Sequence, residues 1–316
     1  MFEYALGVID VLEKNVFDHA DQKRMISVPD KEAAFKVLFD TDLAEASLKE
    51  KDIEKILEKD LAFLKDFILK TVKDEKIELF WFLFLKFDAL NLKIALKERF
   101  SENLYPENYF EHSIINHLDL RKKIDNNKYY IKNEYIDLMV EKSKSLLKAK
   151  KIFRIEEIVD IAYLETKLKI AEKIGGLPLK IIKLEIDIAN LKNLIKGKDK
   201  FVNGGNLSKE NLINLLDIDK GEFSKNVEKF LETYGLSLIL RDYKKTDSET
   251  KLEKQLEKFL SEEIFKTERD QSGGIDKIVA FFYRKINSQA NIRLIFFAKE
   301  NGLALEEVEN NILPIL

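Results

Sequence analysis

Apolar residues recur at spacings of three and four along most of the chain, which is the period of an amphipathic helix. The stretch "IEKILEKDLAFLKDFILKTV", which begins at Ile53, places its isoleucines and leucines on one broad face. No alternation of apolar and polar residues is long enough to build a sheet, and "KYYIKNEYIDLM" is ambiguous over only a few residues. The sequence therefore predicts an all-α protein.

One predicted helix carries polar residues among its apolar ones. In "LEIDIANLKNLIKG", Asp187 and Asn190 are three residues apart and project from nearly the same face. Asparagine is a poor residue for a helix interior, because its side chain competes with the backbone for hydrogen bonds. The segments "LKFDALNLKIALK" and "RKINSQANIRLIFF" repeat the arrangement of a polar residue, an asparagine and a basic residue. The nine signature positions are Asp88, Asn91, Lys93, Asp187, Asn190, Lys192, Ser288, Asn291 and Arg293.

The three signature asparagines are about 100 residues apart, and other patterns keep the same frame. The upstream patterns "IEKILE", "IEEIVD" and "LEKQLE" begin at Ile53, Ile155 and Leu252. The downstream patterns "LYPEN", "LSKEN" and "LALEE" begin at Leu104, Leu207 and Leu303. We therefore predict three homologous helical units, residues 1–103, 104–206 and 207–316. The Gly-Gly and Ser of "KGKDKFVNGGNLSKEN" indicate a helix end and a new start at the second boundary.

Two interpretations of the repeated asparagine remain open. A buried asparagine has two donors and two acceptors, so it can tie a neighbouring loop to its own helix. Alternatively, the three side chains could face a shared axis and form a functional ring. The aromatic run "ELFWFLFLKF" is open in the same way, since it could be core or could face a partner.

Charge and composition exclude several classes of function. The chain has 54 basic and 57 acidic residues, a net charge of −3, which is unlike the basic excess of a nucleic-acid binder. It has no cysteine, which excludes disulfides and thiol chemistry and is typical of a reducing cytoplasm. The acidic N-terminus does not resemble a signal peptide. The most apolar run, from Ile77 to Leu92, is shorter than the roughly 20 residues of a membrane span, so we expect a soluble chain.

The sequence contains no motif that indicates catalysis, a cofactor or a metal. Phosphate loops, G-x-G-x-x-G and H-E-x-x-H are absent. The Gly-Gly pairs at Gly175, Gly204 and Gly273 lack a phosphate-binding context and are expected at helix ends. His112 and His117 are five residues apart, which is not the spacing of zinc ligands on a helix. Paired carboxylates such as Glu156 and Glu157 are interpreted as a solvated helix face.

Three tandem all-α units that each carry a D/E-x-x-N-Ψ-K/R helix, where Ψ is aliphatic, resemble the central-stalk cap of rotary V/A-type ATPases. The cap is named C in prokaryotic complexes and d in eukaryotic ones. The similarity is strongest in "IDIANLKNLIKGKD" with "FVNGGNLSKENLINLLD", and in "YRKINSQANIRLIFFAKENGLALEEV". "KEAAFKVLFDTDLAE" resembles the early L-x-x-T segment of the family, which is echoed around Thr233. The chain departs from the family at Ser288, where an acidic residue is usual, and at Lys192 and Lys196, where arginines are common.

The resemblance implies a funnel of three helical domains related by a pseudo-threefold axis. Its broad end would lie on the cytoplasmic face of the membrane proteolipid ring, and its cavity would receive the shaft subunits D and F. A membrane subunit of the stator would be a further contact. The complex would couple ATP hydrolysis or synthesis to H⁺ or Na⁺ transport, as a rotary motor. The cap itself would be a peripheral membrane protein without catalytic residues, cofactor, nucleic acid or insertion into the bilayer.

A different class also fits the pattern, namely a free cytosolic all-α repeat scaffold for protein–protein interaction. Solenoid scaffolds have repeats of roughly 30 to 50 residues, and the period here is about twice that. Three long units favour a closed arrangement over an open solenoid.

Overall fold

The computed structural model describes residues 2–72, 76–101, 108–125, 133–149, 154–197, 200–216, 236–270 and 274–315. Across these ranges the regular elements are helices and none is a strand, which confirms the all-α prediction. The pattern at Leu104 and the segment around Thr233 lie outside the described residues.

The chain divides into two compact units. Unit 1 contains residues 1–71 and 213–316, and unit 2 contains residues 72–212. The two ends of the chain therefore build one unit together. These units do not coincide with the three sequence repeats, whose boundaries stay a prediction.

The helices of unit 1 come from both ends of the chain. They are α1 (Glu3–Leu12), α2 (His19–Ser27), α3 (Lys31–Val37), a short 3₁₀ turn (Leu38–Asp40), α4 (Ala44–Lys49), α5 (Ile53–Val72, all but its last residue), α12 (Leu236–Thr246), α13 (Glu249–Asp270), α14 (Gly274–Asn301) and α15 (Leu305–Asn311).

Helix α14 is the centre of unit 1. It packs against α1, α2, α3, α13 and α15. One apolar cluster joins Phe17, Met25 and Leu38 from the N-terminal segment to Ile292 and Phe296 of α14. The N-terminal helices begin where the sequence offers caps, since Asp18 and Asp30 accept hydrogen bonds from the first backbone N–H groups of α2 and α3.

Unit 2 contains α6 (Ile77–Ser101), α7 (His117–Ile124), α8 (Glu134–Ala149), α9 (Ile155–Ile174) and α10 (Gly176–Ile195), and α11 (Lys209–Leu216) crosses the boundary between the units. Helix α9 packs against α6, α8 and α10. The aromatic run of α6 belongs to the core, because Leu79, Phe82 and Phe84 are fully buried. Of the two interpretations of "ELFWFLFLKF", the structure selects the core.

Candidate functional site

Each signature asparagine makes the same pair of hydrogen bonds to the backbone of a single residue beyond its own helix. The Nδ2 of Asn91 donates to the carbonyl of Phe110 at 2.9 Å, and the N–H of Phe110 donates to Asn91 Oδ1 at 2.8 Å. Asn190 and Val202 are joined in the same way at 2.8 and 2.7 Å. All three asparagines are buried. We call this pair of bonds the asparagine tether.

The third copy has the same tether on α14. Asn291 Nδ2 donates to the carbonyl of Leu313, and the N–H of Leu313 donates to Asn291 Oδ1, each at 2.8 Å. Here the amide also donates to Gln22 Oε1 at 3.0 Å. The asparagine thus fixes both the segment after its helix and the N-terminal helix α2.

The signature aspartates hold the same loops a few residues further on. Asp88 accepts the N–H groups of Ile114 and Ile115 at 2.7 and 3.1 Å. Asp187 accepts the N–H groups of Asn206 and Leu207 at 3.0 and 3.1 Å. In both loops the aspartate therefore binds the fourth and fifth residues after the one held by the asparagine. Ser288 does something else, since its hydroxyl donates to the carbonyl of Phe17 at 3.3 Å.

The shared bonds align the loops of the first and second copies. Ile115 in the first copy matches Leu207 in the second, and the next residues, Asn116 and Ser208, both accept hydrogen bonds from the first turn of a helix. Leu303 does not share these bonds, and its equivalence with Leu207 stays a prediction. The N–H of Leu303 donates to the carbonyl of Ala298 at 3.0 Å in the turn that ends α14.

The glycine pair at Gly204 has a role that the sequence did not indicate. Gly175 caps α9, as expected, but Gly204 and Gly205 lie in the loop held by Asp187. A Cβ atom on Gly205 would be 2.1 Å from Asp187 Oδ1, and one on Gly204 would be 2.3 Å from Leu168 Cδ2. The expectation that this pair ends a helix was therefore wrong. Glycine lets the loop backbone approach the aspartate.

Two of the signature cations, Lys93 and Arg293, connect their own signature helix to the upstream helix of another predicted repeat. Lys93 on α6 pairs with Glu156 and Asp160 of α9, each at 2.7 Å. Arg293 on α14 pairs with Glu54 of α5 at 2.8 Å. Glu54 and Glu156 occupy the same position of their upstream patterns. In the predicted repeats, Lys93 of the first repeat thus pairs with the second repeat, and Arg293 of the third repeat pairs with the first.

The packing of α14 along α5 also includes a buried ionic group. Lys285 pairs with Asp42 at 2.5 Å and with Asp60 at 2.6 Å, and the Nε2 of Gln289 donates to Asp60 at 2.7 Å. One helical turn before Lys285, Phe281 packs edge-on against Phe67. Contacts therefore run from Phe281 to Arg293 on α14 and in the opposite direction, from Phe67 to Glu54, on α5. The two helices are antiparallel neighbours.

Burial sets the electrostatics of the carboxylates at these contacts. Burial raises the pKa of Asp187 to about 6, against the opposing effect of the hydrogen bonds from Leu207 and Asn206. Burial also raises the pKa of Asp42, and although Lys285 lowers it, the neighbouring carboxylate of Asp60 raises it further. Although burial disfavours its charge, these two carboxylates raise the pKa of Lys285.

The remaining candidates for chemistry have structural contacts. Glu156 is paired with Lys93 and Lys97, and Glu157 with Arg154 and Lys200. Partial burial raises the pKa of Glu156, but the hydrogen bonds from the two lysines lower it by more. These two carboxylates are thus ion-paired, which the interpretation as a solvated face did not foresee. His117 stacks on Tyr109. In the described ranges no group of three or more potential metal ligands comes together.

The signature asparagines and aspartates bind backbone groups of the loops that follow their helices. The sequence matches the family described as ATP synthase (C/AC39) subunit over residues 5–311. The chain belongs to the ATP synthase (C/AC39) subunit family. This membership confirms the resemblance to the central-stalk cap of V/A-type ATPases. The family is that of rotary, ion-transporting ATPases.

A curated relative agrees with this family membership. The chain is 23% identical to the C subunit of the A-type ATP synthase of Methanocaldococcus jannaschii, over 99% of this chain and 86% of the relative. The free scaffold is not favoured by these similarities. Within the described residues, none of the helices of this family member is long and apolar enough to cross a membrane.

Proposed function

We propose that this chain is the non-catalytic central-stalk subunit of a prokaryotic V/A-type rotary ATPase. It would join the rotor shaft to the membrane proteolipid ring, so that ATP hydrolysis or synthesis is linked to H⁺ or Na⁺ transport. The observation that carries the proposal is the family match across residues 5–311. The subunit would lie at the cytoplasmic face of the membrane without inserting into it.

The contacts of the signature residues support a role in transmitting torque. A coupler must be stiff, and each tether replaces backbone freedom with two hydrogen bonds in a buried setting. Leaving a buried group of this kind unpaired costs about 1–3 kcal/mol, so the loops resist displacement.

The Arg293–Glu54 pair supports a closed arrangement of the three repeats. Lys93 joins the first repeat to the second, and Arg293 joins the third repeat to the first. A chain that connects its last repeat to its first suits a socket around a shaft, and the proposal includes a pseudo-threefold relation between the repeats.

Affinity purification from the native membrane tests the proposal. The chain would be tagged at its chromosomal locus, and membranes would be solubilised in a mild detergent. We expect the proteolipid ring protein and the shaft proteins to copurify. Recovery of the tagged chain with neither of them would overturn the proposal.

Cell fractionation separates the proposal from the scaffold. A stalk subunit should partly follow the membranes and be released by high salt or by a chelator. A chain found entirely in the supernatant at low salt, with magnesium present, would favour the scaffold instead.

A further inference from the structure

The end of the third signature helix differs from the corresponding position in the other two repeats. Six residues after the signature asparagine stand Lys97, Lys196 and Phe297. The ammonium group of Lys97 pairs with Glu156. Phe297, in contrast, carries an aromatic ring that is 57% exposed. The third repeat therefore presents an apolar residue to solvent where the others carry a cation.

Two more exposed apolar residues follow Phe297, one in the turn that ends α14 and one at the start of α15. Gly302 adopts φ of +65°, and the N–H of Leu303 donates to the carbonyl of Ala298. This is a Schellman turn, in which the residue after the glycine packs beside the last turn of the helix. Leu303 and Leu305 are 39% and 54% exposed. We call Phe297, Leu303 and Leu305 the α14–α15 corner.

Contacts with the core and with the N-terminal segment fix the backbone of this corner. Val308 of α15 is buried in the core of unit 1. The ammonium group of Lys299 donates to the carbonyls of Ile26 and Val28. Because the backbone is already fixed, a partner that covers the corner would lose little free energy in ordering it.

Carboxylates lie close to the corner along the chain. Glu300, Glu306, Glu307 and Glu309 are all exposed. Glu300 pairs with Lys31 at 2.9 Å. In the part of the chain that the structure describes, the other three carboxylates take part in no ion pair. The corner is thus an exposed apolar surface with acidic residues nearby in the sequence, although the ammonium group of Lys258 donates to the carbonyl of Asn310 in the same helix.

We propose that the α14–α15 corner binds an amphipathic α-helix of a protein partner, which covers the three apolar side chains and directs lysines or arginines to Glu306, Glu307 and Glu309. Helices commonly bind through such an apolar stripe, and charge complementarity at the rim selects the partner and its orientation. An anionic bilayer would be repelled by the carboxylates, and so would a second copy of the same corner. The inference goes beyond the proposed function, because it does not require the chain to be part of a rotary ATPase.

Binding of designed peptides to the full-length chain tests this inference. The probe is a fluorescent, helical peptide of leucine and lysine, and its counterpart replaces every lysine with glutamate. We expect the basic peptide to bind and the acidic one not to bind. Phe297→Ser combined with Leu305→Ser should weaken binding about tenfold, and so should the triple change of Glu306, Glu307 and Glu309 to glutamine.

Two control variants test whether the basic peptide binds to any exposed apolar residue. Tyr4→Ser and Leu48→Ser alter side chains that are 85% and 75% exposed elsewhere on unit 1, and these variants should bind the basic peptide as wild type does. Circular dichroism would establish that all variants are folded. Equal binding of the basic peptide to wild type and both corner variants would overturn the proposal. Corner-dependent binding to vesicles of phosphatidylcholine and phosphatidylglycerol, in place of the peptide, would overturn it too.

Discussion

At the scale of single residues, the molecule uses buried polar side chains as substitutes for backbone partners. An asparagine amide has the same donor and acceptor as a peptide group, so Asn190 pairs with Val202 as a neighbouring strand would. Phe110, Val202 and Leu313 contribute only their backbone N–H and carbonyl groups to the asparagine tether. Their identities carry no signal, which is why sequence patterns located the asparagines and not their partners.

Asn190→Leu should destabilise the protein strongly. The leucine leaves the buried N–H and carbonyl of Val202 without partners, at about 1–3 kcal/mol each, which lowers the free energy of unfolding by a few kcal/mol. Denaturant titration measures the change. Asn193→Leu is the control on the same helix, since Asn193 is only partly buried, and it should change stability by less than about 0.5 kcal/mol. Equal effects of the two substitutions would argue against the tether.

Gly205→Ala should be costly for a steric reason. The added methyl group would be 2.1 Å from Asp187 Oδ1, so the loop or the carboxylate must move, at about 1–3 kcal/mol. Gly7→Ala adds the same methyl group on α1, where nothing lies within 4 Å, and should stabilise the helix slightly. The cost at Gly205 should shrink in an Asp187→Ala background, as a double-mutant cycle would show. An unchanged cost there would mean that the clash is not with Asp187.

The stability contributed by Asp187 should depend on pH. Burial raises its folded-state pKa to about 6 from an ordinary value of 3.8. The folded protein then binds this proton more tightly than the unfolded chain, so the contribution is greatest below pH 3.8 and falls as pH rises through about 6. The difference in unfolding free energy between wild type and Asp187→Asn should therefore decrease by up to about 1.4 kcal/mol per pH unit in that window. A difference that grows with pH would show that the loop N–H groups outweigh burial.

At the scale of helices, the contact between α5 and α14 contains two kinds of ion pair. Lys285 is buried between Asp42 and Asp60, whereas Arg293 and Glu54 are both well exposed. Lys285→Met leaves two buried carboxylates without a cation and should cost about 3–5 kcal/mol. Arg293→Met, the control on the same helix, should cost less than about 1 kcal/mol. Thermal unfolding of both variants checks this order, and a reversed order would contradict the assignment.

The sequence predicted what is local and repeated, and it missed what is distant along the chain. The helical class and the three signatures follow from spacings within a few residues, which periodicity reports directly. The group formed by Asp42, Asp60 and Lys285 joins positions more than 200 residues apart, and no pattern in a single sequence connects them. Gly205 had a visible signal in its Gly-Gly pair, but nothing indicated that the backbone there approaches a carboxylate.

At the scale of the whole molecule, the two ends of the chain form unit 1 together. The C-terminal segment alone would expose the face of α14 that carries Ile292, Ile295 and Phe296, which the N-terminal segment covers. It would also leave Lys285 without its two carboxylates. Neither segment therefore contains a complete core.

Fragment complementation tests this shared core. Residues 1–71 and residues 213–316 would be expressed separately, and each should lack a cooperative thermal transition. Mixing them should restore one, because the apolar cluster and the Lys285 group need both segments. A 1–71 fragment with Asp42→Ala and Asp60→Ala should complement more weakly. It supplies the apolar surface but lacks the two carboxylates that pair with Lys285. Cooperative unfolding of residues 213–316 by themselves would contradict the shared core. It would mean that the C-terminal segment stabilises α14 without the N-terminal segment.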